Sequence, residues 1–248
     1  DTELSFQPGQ LDCPPSVVYR GRTLARIVRG PDTLSPTIQL LGNELLTGSD
    51  RLRVENRLTR WLHDHLRRHL APLFRLREKS DAALDANARG IAFQMSEHLG
   101  AISRRTIAKQ LTSVSREGRR SLRSCGVEIG EHSVYMPALL KPAPARLRFE
   151  LWRLQHGHGG LAAAPDPGLM SIPVEADIPE DLYAAAGLTV CGRRAVRIDM
   201  LDRLARTLRG KTRKGPSPMD PALMSTVGCG ADDFAEILSS LGYELRDV

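Results

Sequence analysis

The sequence lacks several features that would assign it at once to a class of protein. It has no uninterrupted apolar run of the ~18 residues that a transmembrane helix needs, and no signal-like start. Aromatic residues make up only 4% of the chain, which argues against domains that stack bases on aromatic platforms. The four cysteines form no CxxC pair and lie far apart, at Cys13, Cys125, Cys191 and Cys229. We therefore expect a cytoplasmic chain with reduced thiols and no membrane contact.

Motifs of common catalytic sites are absent as well. The sequence has no GxxxxGKS/T loop and no DExH-type acidic box, which ATP-driven motors use to hold phosphates and Mg²⁺. It also has no GxSxG motif, no protein-kinase motifs and no GxGxxG loop. We expect no catalytic residue, no metal and no cofactor in this chain.

The histidines and tryptophans of the predicted helices do not indicate a site. His65 and His69, four residues apart in HDHLRRH, share a helical face as zinc-binding pairs do. The Glu of an HExxH motif is missing, and both histidines fall on a leucine stripe, so we expect core or edge histidines. Trp61 and Trp152 also lie on apolar helical faces, and we expect them in the core rather than under a nucleic-acid base.

Positive charge is concentrated in two segments of the chain. The sequence has 35 Lys and Arg against 29 Asp and Glu, and Arg provides most of the excess. Residues 101–125 hold seven basic side chains and one acid, and residues 193–214 hold nine basic side chains and two acids. From residue 216 onward, acids outnumber bases six to one. Such concentration is typical of proteins that bind polyanions, although solvated helix faces give the same pattern.

Periodicity predicts a mainly α fold with small β-hairpins, an α+β class that combines a winged-helix-like unit with a helical bundle. Hairpins are predicted to turn at Gly21, Gly130 and Gly192, and helices are predicted from Ser49 or Asp50 to Pro72 and from about Ala82 to Leu99. Four consecutive segments are predicted: an N-terminal hairpin and connecting segment (1–48), a helical domain (49–157), a linker (158–178) and a C-terminal helix and hairpin domain with an acidic helix pair (179–248).

Residues 88–136 follow the element order of a winged helix-turn-helix. Ser103 is placed to cap one short helix, Ser113 or Ser115 is placed to cap a second, and residues 127–136 form the hairpin. The second short helix carries a face of four arginines at i, i+3, i+4 and i+7: Arg116, Arg119, Arg120 and Arg123. With the neighbouring cations and the second basic segment, the predicted nucleic-acid-binding residues are Arg104, Arg105, Lys109, Arg116, Arg119, Arg120, Arg123, Arg203, Arg206 and Arg209.

Longer blocks of the sequence carry a family resemblance. They are SVYMPALLKPAPARLRFELW (133–152), LTVCGRRAVRIDMLDRLA (188–205), SPTIQLL (35–41), ARGIAFQMSEHLG (88–100) and GCGADDFAEILSSLGY (228–243). They resemble the C-terminal region of alphaproteobacterial superfamily 2 helicase-related proteins, relatives of the mitochondrial degradosome RNA helicase. The resemblance implies that the chain is a fragment, and that motor domains using ATP and Mg²⁺ precede Asp1 in the same polypeptide. The blocks contain no catalytic residue, so no active-site role is transferred.

Two functions are consistent with these features. The first is an accessory region of an ATP-dependent helicase that guides RNA or DNA by arginine–phosphate contacts, without catalysis of its own. The alternative is a protein-interaction or scaffold region of a helicase-like protein, whose arginines pair with acidic partners.

We predict that the purified chain does not hydrolyse ATP, because the phosphate-binding loop and the Mg²⁺-holding acid are both missing from it. A phosphate-release assay with and without a single-stranded oligonucleotide checks this. ATP turnover that co-elutes with the chain through a second purification step would contradict it.

Overall fold

The computed structural model describes residues 3–10, 13–42, 48–80, 84–157, 163–166, 168–213 and 215–245. These residues form helices and three small antiparallel sheets, so the predicted combination of helices and small hairpins is confirmed. Within the described ranges, no helix combines the length and apolar character needed to cross a membrane. The chain forms two compact units, each made of two segments: unit 1 is Asp1–Ala71 with Pro142–Ala164, and unit 2 is Pro72–Lys141 with Pro165–Val248. The four consecutive segments that the sequence predicts stay a prediction, and residues 158–162 and 167 of the predicted linker lie outside the described residues.

The described residues form ten strands and ten α-helices. The strands are β1 Leu4–Gln7, β2 Ser16–Tyr19, β3 Arg22–Val28, β4 Thr37–Leu40, β5 Ala101–Ser103, β6 Glu128–Ile129, β7 Ser133–Tyr135, β8 Ser171–Pro173, β9 Leu188–Cys191 and β10 Arg194–Arg197. The α-helices are α1 Gly48–His69, α2 Ala71–Ser80, α3 Ala86–Glu97, α4 Ala108–Ser113, α5 Arg116–Ser124, α6 Pro142–His156, α7 Glu180–Ala185, α8 Ile198–Thr212, α9 Ala222–Val227 and α10 Ala231–Ser240.

Unit 1 combines a four-stranded sheet with helices α1 and α6. The strands pair in the order β1-β2-β3-β4, and the β2–β3 hairpin turns at Gly21 as predicted. Leu58, Leu62 and Leu66 recur every four residues of α1 and are buried, so one stripe of the helix faces the core. Helix α1 contacts both β4 and α6. Thus the helix–sheet core of this unit follows from a leucine stripe and from strand alternation.

Helix α6 fixes the loop that follows β1 through buried charges. Arg153 is almost fully buried, donates a 2.9 Å hydrogen bond to the Gln10 carbonyl and lies 3.7 Å from the Glu150 carboxylate. Burial raises the pKa of Glu150, while the nearby Arg153 charge opposes that shift. Loss of either partner would leave a buried charge unpaired, which costs free energy. The hydrogen bond from Arg153 therefore holds the Gln10 carbonyl against α6.

Unit 2 contains a second sheet, in which a strand from before α4 pairs with the hairpin after α5. The strand order is β5-β7-β6, and the β6–β7 hairpin turns at Gly130 as predicted. The prediction that Ser103 caps a helix is wrong. Residues Ala101–Ser103 form β5 because they pair with Ser133–Tyr135, and α4 begins only at Ala108 without a side-chain cap.

One carboxylate links the starts of α3 and α5. Asp85 caps α3 by accepting a 2.8 Å hydrogen bond from the Ala88 amide, so this helix begins four residues later than predicted. The same carboxylate accepts a 2.5 Å hydrogen bond from the Ser115 hydroxyl. Ser115, one of the two predicted candidates, caps α5 by accepting from the Gly118 amide at 2.9 Å. The hydrogen bond from Ser115 is the largest of the effects that lower the pKa of Asp85.

Gly118 is required by this junction rather than by a turn. It lies inside α5, where glycine weakens a helix. A Cβ atom at this position would collide with the Asp85 carboxylate and would lie 3.0 Å from Val114 Cγ1 and 3.1 Å from Ala88 Cβ. The close approach of α5 to the start of α3 therefore depends on the absence of a Cβ atom at Gly118.

The remainder of unit 2 packs a third sheet with α8, α9 and α10. Its strands pair in the order β8-β10-β9, with the predicted hairpin turn at Gly192. The predicted packing pair α9 and α10 meets at Gly228, and Val227, Phe234 and Ile237 are fully buried in one cluster with residues of α8. The apolar positions of the acidic helix pair are thus core positions.

A buried aspartate of α8 binds the turn of the β6–β7 hairpin. Asp202 is 1% exposed, and its Oδ1 accepts hydrogen bonds from the amides of Glu131 at 2.5 Å and His132 at 3.5 Å. Gly130 lies so close to this carboxylate that a Cβ atom would overlap it. Arg206, one turn further along α8, lies 3.2 Å from the other oxygen of Asp202. The hairpin and α8 are therefore joined by a charged hydrogen-bonded contact.

We expect Gly118→Ala to destabilise the protein by about 1–3 kcal/mol, because the added methyl group must displace Asp85 from Ser115. The matched control is Gly90→Ala within α3, where a Cβ atom meets nothing within 4 Å. That control should stabilise the protein by up to about 1 kcal/mol, since alanine is the better helix former. Urea unfolding followed by circular dichroism measures both, and a stabilising Gly118→Ala would show that the junction is loose.

Candidate nucleic-acid interface

Helix α5 is amphipathic because its two faces carry different residue types. Gly118 and Leu122 are buried, and Val114 before the helix and Cys125 after it are buried on the same side. The arginines occupy the opposite side, as the spacing predicted. The cap at Ser115 and the apolar face thus hold α5 in a fixed orientation.

Three of the four arginines on α5 form an open cationic face. Arg116, Arg120 and Arg123 are exposed, and their guanidinium groups make no hydrogen bond or ion pair within the part of the chain that the structure describes. Arg119 differs, because it is half-buried and donates a 2.7 Å hydrogen bond to the Leu111 carbonyl in α4. It ties α5 to α4, whereas the other three present unpaired charge to solvent.

The predicted cations between β5 and α4 are in three different situations. Arg104 donates a 2.8 Å hydrogen bond to the Gly130 carbonyl at the hairpin turn. Arg105 is exposed and donates a 3.2 Å hydrogen bond to the Ser240 carbonyl at the end of α10. Lys109 is exposed, and no described residue forms a hydrogen bond or ion pair with its ammonium group. Of these three, Lys109 most resembles the open arginines.

The predicted cations of α8 are mostly paired with acids. Arg206 lies 3.6 Å from Glu128 and also contacts Asp202, and Arg209 contacts Glu131 at 2.5 Å. Arg203 is exposed, without an ion pair or hydrogen bond of its side chain in the described ranges. Two of the three predicted cations of α8 are therefore paired with acids, of which Glu128 and Glu131 lie far away in sequence and Asp202 lies in α8 itself.

A second basic surface, which the sequence analysis missed, lies in unit 1. A cleft of about 930 Å³ is lined by residues of β1, α1 and α6. Four arginines and a single acid, Asp64, contribute the permanent charges of its walls: Arg57, Arg60, Arg68 and Arg146. The signal was present in the sequence, because Arg57, Arg60, Asp64 and Arg68 recur every three or four residues along α1.

Three stacked rings form part of the wall of this cleft. His65 lies between Phe6, at a centroid distance of 5.5 Å, and Trp61, at 5.1 Å, with interplanar angles of 14° and 25°. Trp61 and Trp152 were predicted in the core, but both are half-buried. Burial, with smaller contributions from the charges of His69 and Arg68, lowers the pKa of His65 to about 4. His65 is therefore neutral at pH 7.

The same histidines do not form a metal centre in the described structure. His65 and His69 have ring centroids 4.5 Å apart and are half-buried. The described residues include no group of three or more His, Cys, Asp or Glu side chains that could hold a metal ion.

Comparisons with protein-family models, curated proteins and solved structures found no match to this chain.

We expect the stability of unit 1 to fall as the pH drops from about 6.5 to about 4. The folded pKa of His65 lies below its unfolded value, so over this range the unfolded chain binds a proton that the folded chain excludes. Both tryptophans lie in unit 1, so urea unfolding followed by tryptophan fluorescence reports on this unit. The variant His65→Gln should show a weaker pH dependence over this window, and an unchanged dependence would assign the effect to other groups.

Proposed function

We propose that this chain is a nucleic-acid-binding accessory region of an ATP-dependent superfamily 2 helicase, and that α5 guides a strand by contacts between arginines and phosphates. The observation that carries the proposal is the open cationic face of α5, defined by Arg116, Arg120 and Arg123. Their charges are exposed and uncompensated in the described part of the chain, whereas acids or carbonyl groups hold most of the other predicted cations.

The order of elements around α5 supports a more specific proposal, that residues 88–136 with the rest of α3 form a winged helix-turn-helix. The order is α3, β5, α4, α5, β6, β7, and the strand before the helix pair joins the sheet next to the final strand. In helix-turn-helix domains the second helix of the pair lies against nucleic acid, and α5 has that place here. The open cationic face would then be the contact surface.

Spacing favours contacts with the phosphate backbone over contacts with bases. Arg116 and Arg123 are seven residues apart, so they span about 10 Å along the helix. This length matches a few consecutive phosphates of one strand, and arginine binds phosphate oxygens by paired hydrogen bonds. We therefore propose binding of RNA or DNA with little sequence preference and a strong dependence on salt.

From the family resemblance we also propose that this region belongs to a larger polypeptide. Motor domains that use ATP and Mg²⁺ would belong to the same polypeptide, and this region would be their partner. The cytoplasm is the proposed location, since all four cysteines are unpaired and thiols persist in that compartment.

The test is the triple variant Arg116→Gln, Arg120→Gln and Arg123→Gln. Glutamine keeps the helix propensity but removes the charge, so the fold should be retained while three phosphate contacts are lost. For a single strand, each contact contributes about 0.7 to the slope of log affinity against log salt, and we expect a slope shallower by about 2. Fluorescence anisotropy with a labelled single-stranded oligonucleotide measures it.

The matched control replaces three arginines that are exposed but lie outside α5: Arg22→Gln, Arg26→Gln and Arg75→Gln. This control removes the same net charge, so it separates local contacts from the general field of the protein. Equal affinity and slope in both triple variants would reject α5 as the interface. Absence of binding even at low salt would favour the scaffold function instead.

A further inference from the structure

We propose that the cleft of unit 1 is a second binding site for single-stranded nucleic acid, in which a base stacks on Trp61 and arginines of α1 and α6 bind the adjoining phosphates. This site lies in the unit that does not contain α5, and it does not rest on the function proposed for that helix.

The charge of the cleft points to an anionic ligand. Arg60, Arg68 and Arg146 are exposed, line the cleft and make no side-chain hydrogen bond or ion pair in the part of the chain that the structure describes. The one acidic side chain in the wall is Asp64. Guanidinium groups collected in a concave surface strengthen their common field, because the protein wall displaces water from between them.

The rings indicate that the ligand also has a flat apolar part. The His65 ring lies nearly parallel to Phe6 and to Trp61, and all three rings are half-buried rather than enclosed in the core. Stacking of a base on an aromatic side chain contributes about 1–3 kcal/mol and does not depend on base identity. The central ring is uncharged at neutral pH, so the column is not a further site for phosphate.

The dimensions suit a short stretch of strand. The volume of about 930 Å³ is at the upper end of the range for small-molecule sites, which is roughly 300–1,000 Å³. The lining residues of α1 run from Arg57 to His69, which is about 18 Å of helix. Rings recur at every fourth position of this row, at Trp61, His65 and His69, and arginines lie at both ends of it.

This combination favours a nucleic-acid strand over an acidic peptide. A peptide rich in Asp and Glu would satisfy the arginines but would place no flat ring system against Trp61. A strand provides both phosphates and bases, which matches a wall that has both arginines and an aromatic side chain.

The experiment uses the fluorescence of Trp61. The sequence has two tryptophans, so Trp152→Phe leaves Trp61 as the only one. The full chain with this change is titrated with an oligouridylate of about eight nucleotides, a length within the usual site sizes of single-strand binders. We expect the emission of Trp61 to be quenched as the base stacks, with saturation at a defined oligonucleotide concentration.

Paired variants in this background test the arginines. Arg60→Gln with Arg68→Gln should raise the oligonucleotide concentration at half-maximal quenching by roughly tenfold or more, since each lost charge-assisted hydrogen bond reduces affinity. Arg22→Gln with Arg26→Gln is the matched control, because both residues are exposed on β3 and outside the cleft, and it should leave the titration curve in place. Equal weakening by the two pairs, with circular dichroism showing both folded, would overturn the proposal.

Two other ligands test whether free nucleotides or acidic proteins, rather than a nucleic-acid strand, bind the cleft. Uridine monophosphate should quench only at much higher concentration, and equal affinity for it and for the strand would assign the cleft to free nucleotides. Polyglutamate of matched charge should not displace the oligonucleotide, and displacement at equal concentration would make the cleft a site for acidic proteins.

The α5 triple variant should retain the quenching of Trp61. Failure of the function proposed for α5 is therefore distinguishable from failure of the proposal for the cleft.

Discussion

The hydrogen bond from Ser115 to Asp85 is the contact on which the arrangement of the α5 arginine face depends. Asp85 ends the connection before α3, Ser115 begins α5, and Gly118 permits the two to meet. Because Leu122 and the arginines lie on opposite sides of α5, the contacts that bury Gly118 and Leu122 leave Arg116, Arg120 and Arg123 exposed. The orientation of the charged face therefore depends on two capping residues, Asp85 and Ser115, and on Gly118. None of the three carries a positive charge.

Acidic partners decide which arginines remain available to a ligand. Glu128, Glu131 and Asp202 pair with Arg206 and Arg209 of α8, whereas no acid of the described structure forms an ion pair with Arg116, Arg120 or Arg123 of α5. The unit 1 cleft has a similar excess of arginine but adds stacked rings. The two surfaces thus share exposed arginines but differ in their neighbours, and this difference is the reason that we propose backbone contacts for α5 and base stacking for the cleft.

Features with a local cause could be predicted from the sequence, and those with a distant cause could not. The cap at Ser115, the hairpin turns at glycines and the apolar pairing of α9 with α10 depend on nearby residues, and all are observed. Strand β5 was missed because its partner β7 lies 30 residues later. Likewise, the Arg209 contact joins residues 78 apart, so charge counting overestimated the open charge of α8. The relation to helicases and the winged-helix architecture stay predictions.

The buried Asp202 has a consequence for what the hairpin can bind. Consecutive backbone amides in a tight turn form a concave nest that commonly captures an anion from solution. Here the amides of Glu131 and His132 already hold a carboxylate of the same chain. The Asp202 carboxylate thus occupies the place that a bound anion would take at this turn. These two amides are therefore not available as hydrogen-bond donors to a phosphate group.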